Sequence, residues 1–264
     1  MLMKKHIRKL TLFLVMVSFN FATATVIDFT TDDNGVPLVN GQEIATPGEF
    51  GNLVSISALN NIGGNSPLAI FDTDPAGPNA ANATAHSTGA LFVDLGNALV
   101  FQHTRTYSAQ TVPGIFDAPV HAADSGTMFF DFTSPSTLTS IDLIDIDVGS
   151  LPGNRNATVT MTDINGLTRV YDVPAGFTHS LTHSPNGWAT LDLTTLADQT
   201  GETALLATAT EEAGFDAAAV SQLAIRLRGS GGVDNLVFAV PEPGSLGLFG
   251  LGMLALIARR AIRS

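Results

Sequence analysis

The chain of 264 residues contains no cysteine, which excludes disulfide bonds, thiol nucleophiles and thiolate metal sites. All three of its lysines lie in the first 24 residues. Between residues 25 and 239 the positive charge comes from five arginines (105, 155, 169, 226 and 228), set against 23 carboxylates, so the formal charge of this body is −18. Such a surface repels phosphate backbones, and nucleic acid is therefore not an expected partner.

The first 24 residues have the layout of a secretory signal peptide. Four basic residues precede an apolar run from Leu10 to Phe19, and Ala22 and Ala24 supply the small residues of a cleavage site. We expect the Sec translocon to export the chain and signal peptidase to cut it after Ala24. The apolar run is too short for a stable membrane span, so an uncleaved anchor is the weaker alternative.

Residues 240–264 resemble a membrane anchor in their composition. A proline-rich hinge comes first, an uncharged apolar run extends from Ser245 to Ala258, and Arg259 and Arg260 follow. The run is short for a hydrocarbon core of about 30 Å, and it can span only if the arginines snorkel and the bilayer thins. Arginines favour the cytoplasmic side, which leaves the body outside. The alternative is a buried C-terminal core helix.

The tail resembles the PEP-CTERM sorting signal of Gram-negative bacteria. The resemblance is carried by Pro241-Glu242-Pro243, by the short apolar run, and by Arg259 and Arg260. It implies an exported protein that is held transiently in the inner membrane and processed near Pro241–Pro243 by an exosortase, a membrane cysteine transpeptidase. The final destination would be the cell surface or an extracellular matrix, with exopolysaccharide as a possible partner.

The body between the two terminal segments is predicted to be all-β. Short runs of Val, Ile, Thr and Phe alternate with clusters of Gly, Asn, Asp and Pro. The predicted strands are Thr25–Thr30, Leu53–Ala58, Leu68–Asp72, Ala90–Leu95, Ala98–His103, Thr127–Phe132, Thr137–Asp147, Ala157–Asp163, Leu167–Val173, Trp188–Leu193, Gln222–Arg228 and Gly232–Phe238. About a dozen strands at this spacing favour a two-sheet β-sandwich. The predicted organisation is therefore a signal peptide (1–24), a β-sandwich ectodomain (25–239) and a sorting segment with a short transmembrane helix (240–264).

Local signals refine this picture. Asn165-Gly166 predicts a hairpin with a type I′ turn, Asp216 is a cap for a short turn of helix, and Ala204–Ala213 can be helix or strand. Apolar parity switches between Leu143 and Ile144, which predicts a β-bulge. The neighbouring aspartates 142, 145 and 147 are then expected on a solvated outer face.

The body also resembles the β-sandwich ectodomains that often precede PEP-CTERM tails, which are similar to galactose-binding-like jelly rolls. The stretches that carry the resemblance are Ile27–Phe29, Asp32–Gly35, Ile70–Asp72, Phe130–Phe132, Ser140–Leu143 and Gly229–Phe238. This resemblance implies a jelly-roll-like fold but no particular activity.

A structural calcium ion is the first candidate ligand of the body. Hard cations prefer oxygen ligands, and a calcium ion can join the first and last strands of a secreted sandwich. If Thr25–Thr30 pairs with Gly232–Phe238, Asp28 or Asp32 can approach Asp234. The alternative is that Asp32 belongs to a turn and Asp234 makes only local hydrogen bonds.

No catalytic motif is present, because the chain lacks the G-x-S-x-G and H-E-x-x-H patterns. We therefore expect a non-catalytic structural or carbohydrate-binding role, with a secreted polysaccharide hydrolase as the alternative. Sugar sites need an exposed aromatic ring beside polar groups. Trp188, the single tryptophan, with Asn186 just before it, is the best candidate. The competing interpretation places Trp188 in the core.

Overall fold

A computed structural model describes residues 23–44, 48–60, 67–79, 91, 93–103, 108–120, 126–146, 156–178, 187–202, 205–229 and 231–240. All of them belong to one compact unit, Thr23–Pro241. Ala22, Asn186, Pro241, Glu242, Pro243, Arg259 and Arg260 lie outside the described residues, as does nearly all of each predicted terminal segment.

The described residues form strands and turns. Thirteen strands occur in chain order: β1 (Thr23–Ile27), β2 (Glu43–Ile44), β3 (Val54–Asn60), β4 (Leu68–Asp72), β5 (Asn97–Phe101), β6 (Gly126–Ile144), β7 (Ala157–Asp163), β8 (Thr168–Val173), β9 (Trp188–Asp192), β10 (Gln199–Thr200), β11 (Leu206–Glu211), β12 (Val220–Leu227) and β13 (Gly232–Val240). Within these ranges no helix has the length and apolarity needed to cross a bilayer. The prediction of an all-β body is confirmed.

The strands make one large antiparallel sheet. Its order is β10-β11-β8-β7-β12-β6-β13-β5-β4-β2, with β1 on β13 and both β3 and β9 on β6. The pairing on which the calcium hypothesis depends is present, because Thr25 pairs with Phe238 and Ile27 with Leu236.

Strand β6 is the longest, at 19 residues. Its first half pairs with β3 and β12, and its second half pairs with β9 and β13. The sequence predicted two separate strands here because Ser134-Pro135-Ser136 looks like a loop. That prediction was wrong. The backbone stays extended through the exposed Pro135, which lacks a donor N–H, and the Ser136 hydroxyl donates to the Ser134 carbonyl at 2.9 Å.

The core follows from period-two alternation. On β12 the side chains of Leu223, Ile225 and Leu227 are buried, while the intervening residues are half-buried. The same pattern holds along β7 and β8, and the buried side chains join one apolar cluster. Burying each of these large side chains contributes roughly 1.5–3 kcal/mol to the stability of the fold. The alternation that is visible in the sequence therefore determines which face of the sheet packs into the core.

The β7–β8 hairpin is present where Asn165-Gly166 predicted it, but its turn differs. Only Gly166 has a positive φ (82°) among the turn residues, whereas a type I′ turn needs two such residues. The Asp163 carbonyl accepts from the Gly166 N–H at 3.0 Å, and the Asp163 carboxylate accepts from the N–H groups of Asn165 and Leu167. The result is a longer loop with glycine at the left-handed position.

Two further local predictions were wrong, and the structure settles one open choice between helix and strand. Asp216 closes a turn through the Ala218 N–H rather than capping a helix. The ambiguous Ala204–Ala213 segment contains strand β11. The predicted strand Ala90–Leu95 is not a strand at its described positions, and its Leu91 is instead buried in a second, smaller apolar cluster.

The alternation of apolar residues changes phase near Leu143, but the predicted β-bulge is not the cause. Strand β6 ends at Ile144, and Asp145 then adopts a positive φ of 49°, which redirects the chain so that Ile146 is also buried. Asp142 and Asp145 are 6% and 3% exposed, so the expected solvated face was wrong for both, while Asp147 lies outside the described residues. Ile144 lies on the same face as Asp142 and packs into the second apolar cluster, which shields that face from solvent.

Candidate functional site

A row of polar side chains crosses three adjacent strands. Asp142 of β6 lies directly opposite Thr190 of β9 on one side and Asp234 of β13 on the other. Directly opposed residues in an antiparallel sheet have Cβ atoms about 4.5–5.5 Å apart, and like charges in such pairs are destabilising. The sheet register therefore brings two carboxylates together at a cost that neighbouring groups must offset.

The polar row is linked by hydrogen bonds. The Thr190 hydroxyl donates to Asp142 Oδ1 at 2.6 Å. The Asn235 amide donates to Asp142 Oδ2 at 2.9 Å and to Asp234 Oδ2 at 3.2 Å, and the Asn235 backbone N–H donates to Asp234 Oδ1 at 2.7 Å. One asparagine thus bridges both carboxylates, which reduces their repulsion.

Asp234 is only 1% exposed. Burial raises the pKa of its carboxyl group to about 8, and the negative charges of Asp142 and Asp28 act in the same direction, while the N–H of Asn235 opposes them. Near pH 7 the carboxyl group of Asp234 is therefore mostly protonated, and the cluster carries less negative charge than its composition suggests.

The backbone is strained on both sides of this cluster. Asn235 has a φ of 46°, and the β6–β13 register shifts between Asp234 and Val237. Phe29, the residue after Asp28, has a φ of 53°, which is unusual for a bulky side chain. Phe29 is held in place because its ring packs edge-on against Phe50, with centroids 5.7 Å apart, and its carbonyl accepts from the Asn97 amide at 2.9 Å.

The structure brings together two of the three predicted calcium ligands. Asp28 and Asp234 are close enough to interact electrostatically, whereas Asp32 accepts hydrogen bonds from Asn34 and Val36 in its own turn. In the part of the chain that is described, no group of three or more His, Asp or Glu side chains is placed to hold a metal ion. The predicted trio therefore does not fit a preformed site, and calcium stays a prediction.

Trp188 lies on the surface at the start of β9, with 37% of its area exposed. Exposed and buried residues alternate along β9, so Trp188 and Thr190 share one face. Trp188 is directly opposite Ile144, one step along the strand from the Thr190–Asp142 pair. The ring is thus next to polar groups, although its predicted neighbour Asn186 lies outside the described residues.

Sequence reasoning missed Asp142, Thr190 and Asn235 as members of one polar row. Asp142 had been placed on a solvated face, and nothing in the spacing of three distant residues indicates their contact. The one available signal was Asp234-Asn235, an acidic and an amide residue inside an otherwise apolar final strand.

The chain matches the model of the PEP-CTERM protein-sorting motif at residues 239–263. This match supports a PEP-CTERM protein, exported and sorted to the envelope by an exosortase. No curated protein matches the chain.

The raised pKa of Asp234 predicts a specific pH dependence of folding. An unfolded aspartate releases its proton near 3.8, and the folded one near 8. The stability contributed by the protonated carboxyl group is fully present below pH 3.8 and is lost as the pH rises through about 8, by at most ~1.4 kcal/mol per pH unit. Because the amide of Asp234→Asn imitates the neutral form, this variant should lose less stability than the wild type between pH 5 and pH 8.5 in urea melts.

Asp198→Asn, which removes an exposed carboxylate, is the matched control and should follow the wild-type pH dependence. Parallel stability curves for Asp234→Asn and wild type across this pH range would contradict the protonated state.

Proposed function

We propose that this protein is exported through the Sec translocon, anchored transiently in the inner membrane by residues 240–264, and transferred by an exosortase to the cell surface or an extracellular matrix. The observation that carries the proposal is the match of residues 239–263 to the sorting motif. That match begins inside β13, which ends at Val240. The last described strand therefore overlaps the first two residues of the matched segment.

The N-terminal end of the body supports the same proposal. Thr23 and Ala24 pair with Val240 and Ala239, so the start of β1 lies beside the start of the sorting segment. Cleavage by signal peptidase after Ala24 removes the first two residues of β1 and leaves Thr25–Ile27 paired with Leu236–Phe238. The mature N-terminus would then emerge next to the point at which the chain enters its anchor.

We infer that the sheet bends at Thr133–Ser136 into two facing layers, as a jelly-roll-like sandwich requires. The two halves of β6 pair with different strands, and buried residues from both halves, such as Phe130 and Leu143, belong to the same apolar cluster. Such a body is a rigid scaffold of the kind on which galactose-binding-like domains carry their sites.

The proposed role of the body is structural or carbohydrate-binding, without catalysis. In favour of binding, Trp188 is exposed on the same face as the hydroxyl of Thr190. The alternative of a polysaccharide hydrolase requires two carboxylates that reach substrate. Asp142 and Asp234 are close enough to form such a pair, but they are 6% and 1% exposed and held by Asn235, which favours the binding role.

Carbohydrate binding can be tested at Trp188. Stacking on an aromatic ring contributes much of the affinity of a sugar site, so Trp188→Ala should abolish binding to neutral glycans on an array, whereas Trp188→Phe should retain part of it. The intact protein, purified from the envelope, is the sample. Equal glycan binding by Trp188→Ala and wild type, or release of reducing sugar by the wild type, would contradict the proposal.

The predicted structural calcium ion has its own test. If a cation joins Asp28 to Asp234, it replaces the proton on Asp234 and links the first strand to the last, so EDTA should lower the melting temperature at pH 8 and added Ca²⁺ should restore it. Identical melting curves in EDTA and in Ca²⁺ would remove the ion from the account.

A further inference from the structure

A second site of different chemistry lies on β12. Arg226 is directly opposite Thr127 of β6 and Thr158 of β7. Its neighbours Ile225 and Leu227 are buried in the core, so the side chain of Arg226 lies on the outer face of the sheet, where it is half-buried.

The surroundings of Arg226 on this face are hydroxyl-rich. Thr160 lies two residues beyond Thr158 on β7, and Phe129 lies two residues beyond Thr127 on β6, opposite Ala224. Phe129 is therefore a diagonal neighbour of Arg226, at roughly 7 Å, and it is half-buried rather than in the core. A guanidinium group, hydroxyl groups and a partly exposed aromatic ring thus share one patch.

Arg226 and Arg228 have no carboxylate partner within the described residues, although acids far outnumber bases in the chain. The ion pair found in the described ranges is between Arg169 and Glu211. Among the residues paired in register with Arg226 across the sheet, the nearest carboxylate belongs to Asp172 of β8. It lies two strands, or about 10 Å, from Arg226. That carboxylate accepts a hydrogen bond from the Asn156 amide.

The two arginines also act on each other. Burial lowers the pKa of Arg226, and the positive charge of Arg228 lowers it further. Arg228 Nε is enclosed by protein and has no hydrogen-bond partner in the part of the chain that is described. Two like charges in a partly desolvated patch are destabilising unless an anion lies between them, and guanidinium groups bind carboxylates through paired N–H donors.

We propose that Arg226 and Arg228 bind a carboxylate group of an acidic polysaccharide, while Phe129 and the threonine hydroxyls contact the sugar ring. The site rests on the proposed carbohydrate-binding function, but it is separate from Trp188 and selects charged sugars. The body carries a formal charge of −18. At 0.15 M salt the Debye length is about 8 Å, so exposed acidic groups farther away than this are largely screened at the two arginines.

Binding of polygalacturonate and of its fully methyl-esterified form tests this site, because esterification removes the charge and keeps the sugar. The intact protein from the envelope is measured at 0.15 M NaCl. We expect at least about tenfold tighter binding of the acid form, and Arg226→Gln and Arg228→Gln should each remove this preference. Asn165→Asp makes the same change in net charge in the β7–β8 turn, about 20 Å along β7 from Thr158, and should keep the preference.

Equal binding of both polymers by the wild type, or an unchanged preference in both glutamine variants, would overturn the proposal. Binding confined to vesicles of anionic lipid would assign the patch to the membrane surface and overturn it as well. If the ester is bound and Trp188→Ala loses it, the carbohydrate function stands and only the acidic site fails. If neither polymer nor any arrayed glycan is bound, both fail.

Discussion

The hydrogen-bond ladder of β13 is the interaction on which the rest of the sheet depends. This last strand pairs with β6 on one side and with β1 and β5 on the other. It therefore connects β5, β4 and β2 to the remainder of the sheet and holds the first strand beside the last. Because the sorting segment starts within β13, the residues that complete the fold are also the residues that lead to the anchor. The sheet is therefore complete only when this last strand is in place.

The same strand carries a buried carboxyl group whose surroundings disfavour its charged form. Asp234 is buried opposite Asp142 and near Asp28, and the protein tolerates this by protonating Asp234 and by bridging it to Asp142 through Asn235. Elsewhere Arg226 and Arg228 lie together without a carboxylate partner in the described ranges. In a body with 23 carboxylates, two cations without a carboxylate partner in the described ranges carry an electrostatic cost that an anionic ligand can offset.

The elements with strong local signals were predictable from the sequence. Leu68–Asp72 and Ala157–Asp163 were predicted with their observed bounds, since alternating or continuous apolar residues and flanking turn residues mark them. The pairing of the first strand with the last entered the sequence argument only as a condition of the calcium hypothesis. Prediction failed where distant residues decide the outcome. Ser134-Pro135 looks like a loop until β12 and β13 pair on either side of it, and Asp142 looks solvated until Ile144 joins a second apolar cluster.

The site residues, too, were hard to predict where contacts between distant parts of the chain decide their surroundings. Asp234 lies on the last strand and Asp28 directly follows the first, so the pairing of these two strands accounts for their proximity. The carboxylate of Asp32 instead accepts hydrogen bonds within its own turn. Thr190 carries no signal of its own, and Asn235 differs from its neighbours only as an amide residue next to Asp234 in an otherwise apolar last strand. They become part of a site only through the register of β9, β6 and β13, which is set by side chains far away in the sequence.

The central claim is that two terminal segments deliver an acidic all-β body beyond the inner membrane, with both ends of that body on one ladder. Mass spectrometry of the protein recovered from cell fractions tests this most directly. The account predicts an envelope or extracellular species that begins at Thr25 and ends near Pro241–Pro243. An uncut chain of 264 residues recovered from the cytosol would contradict it.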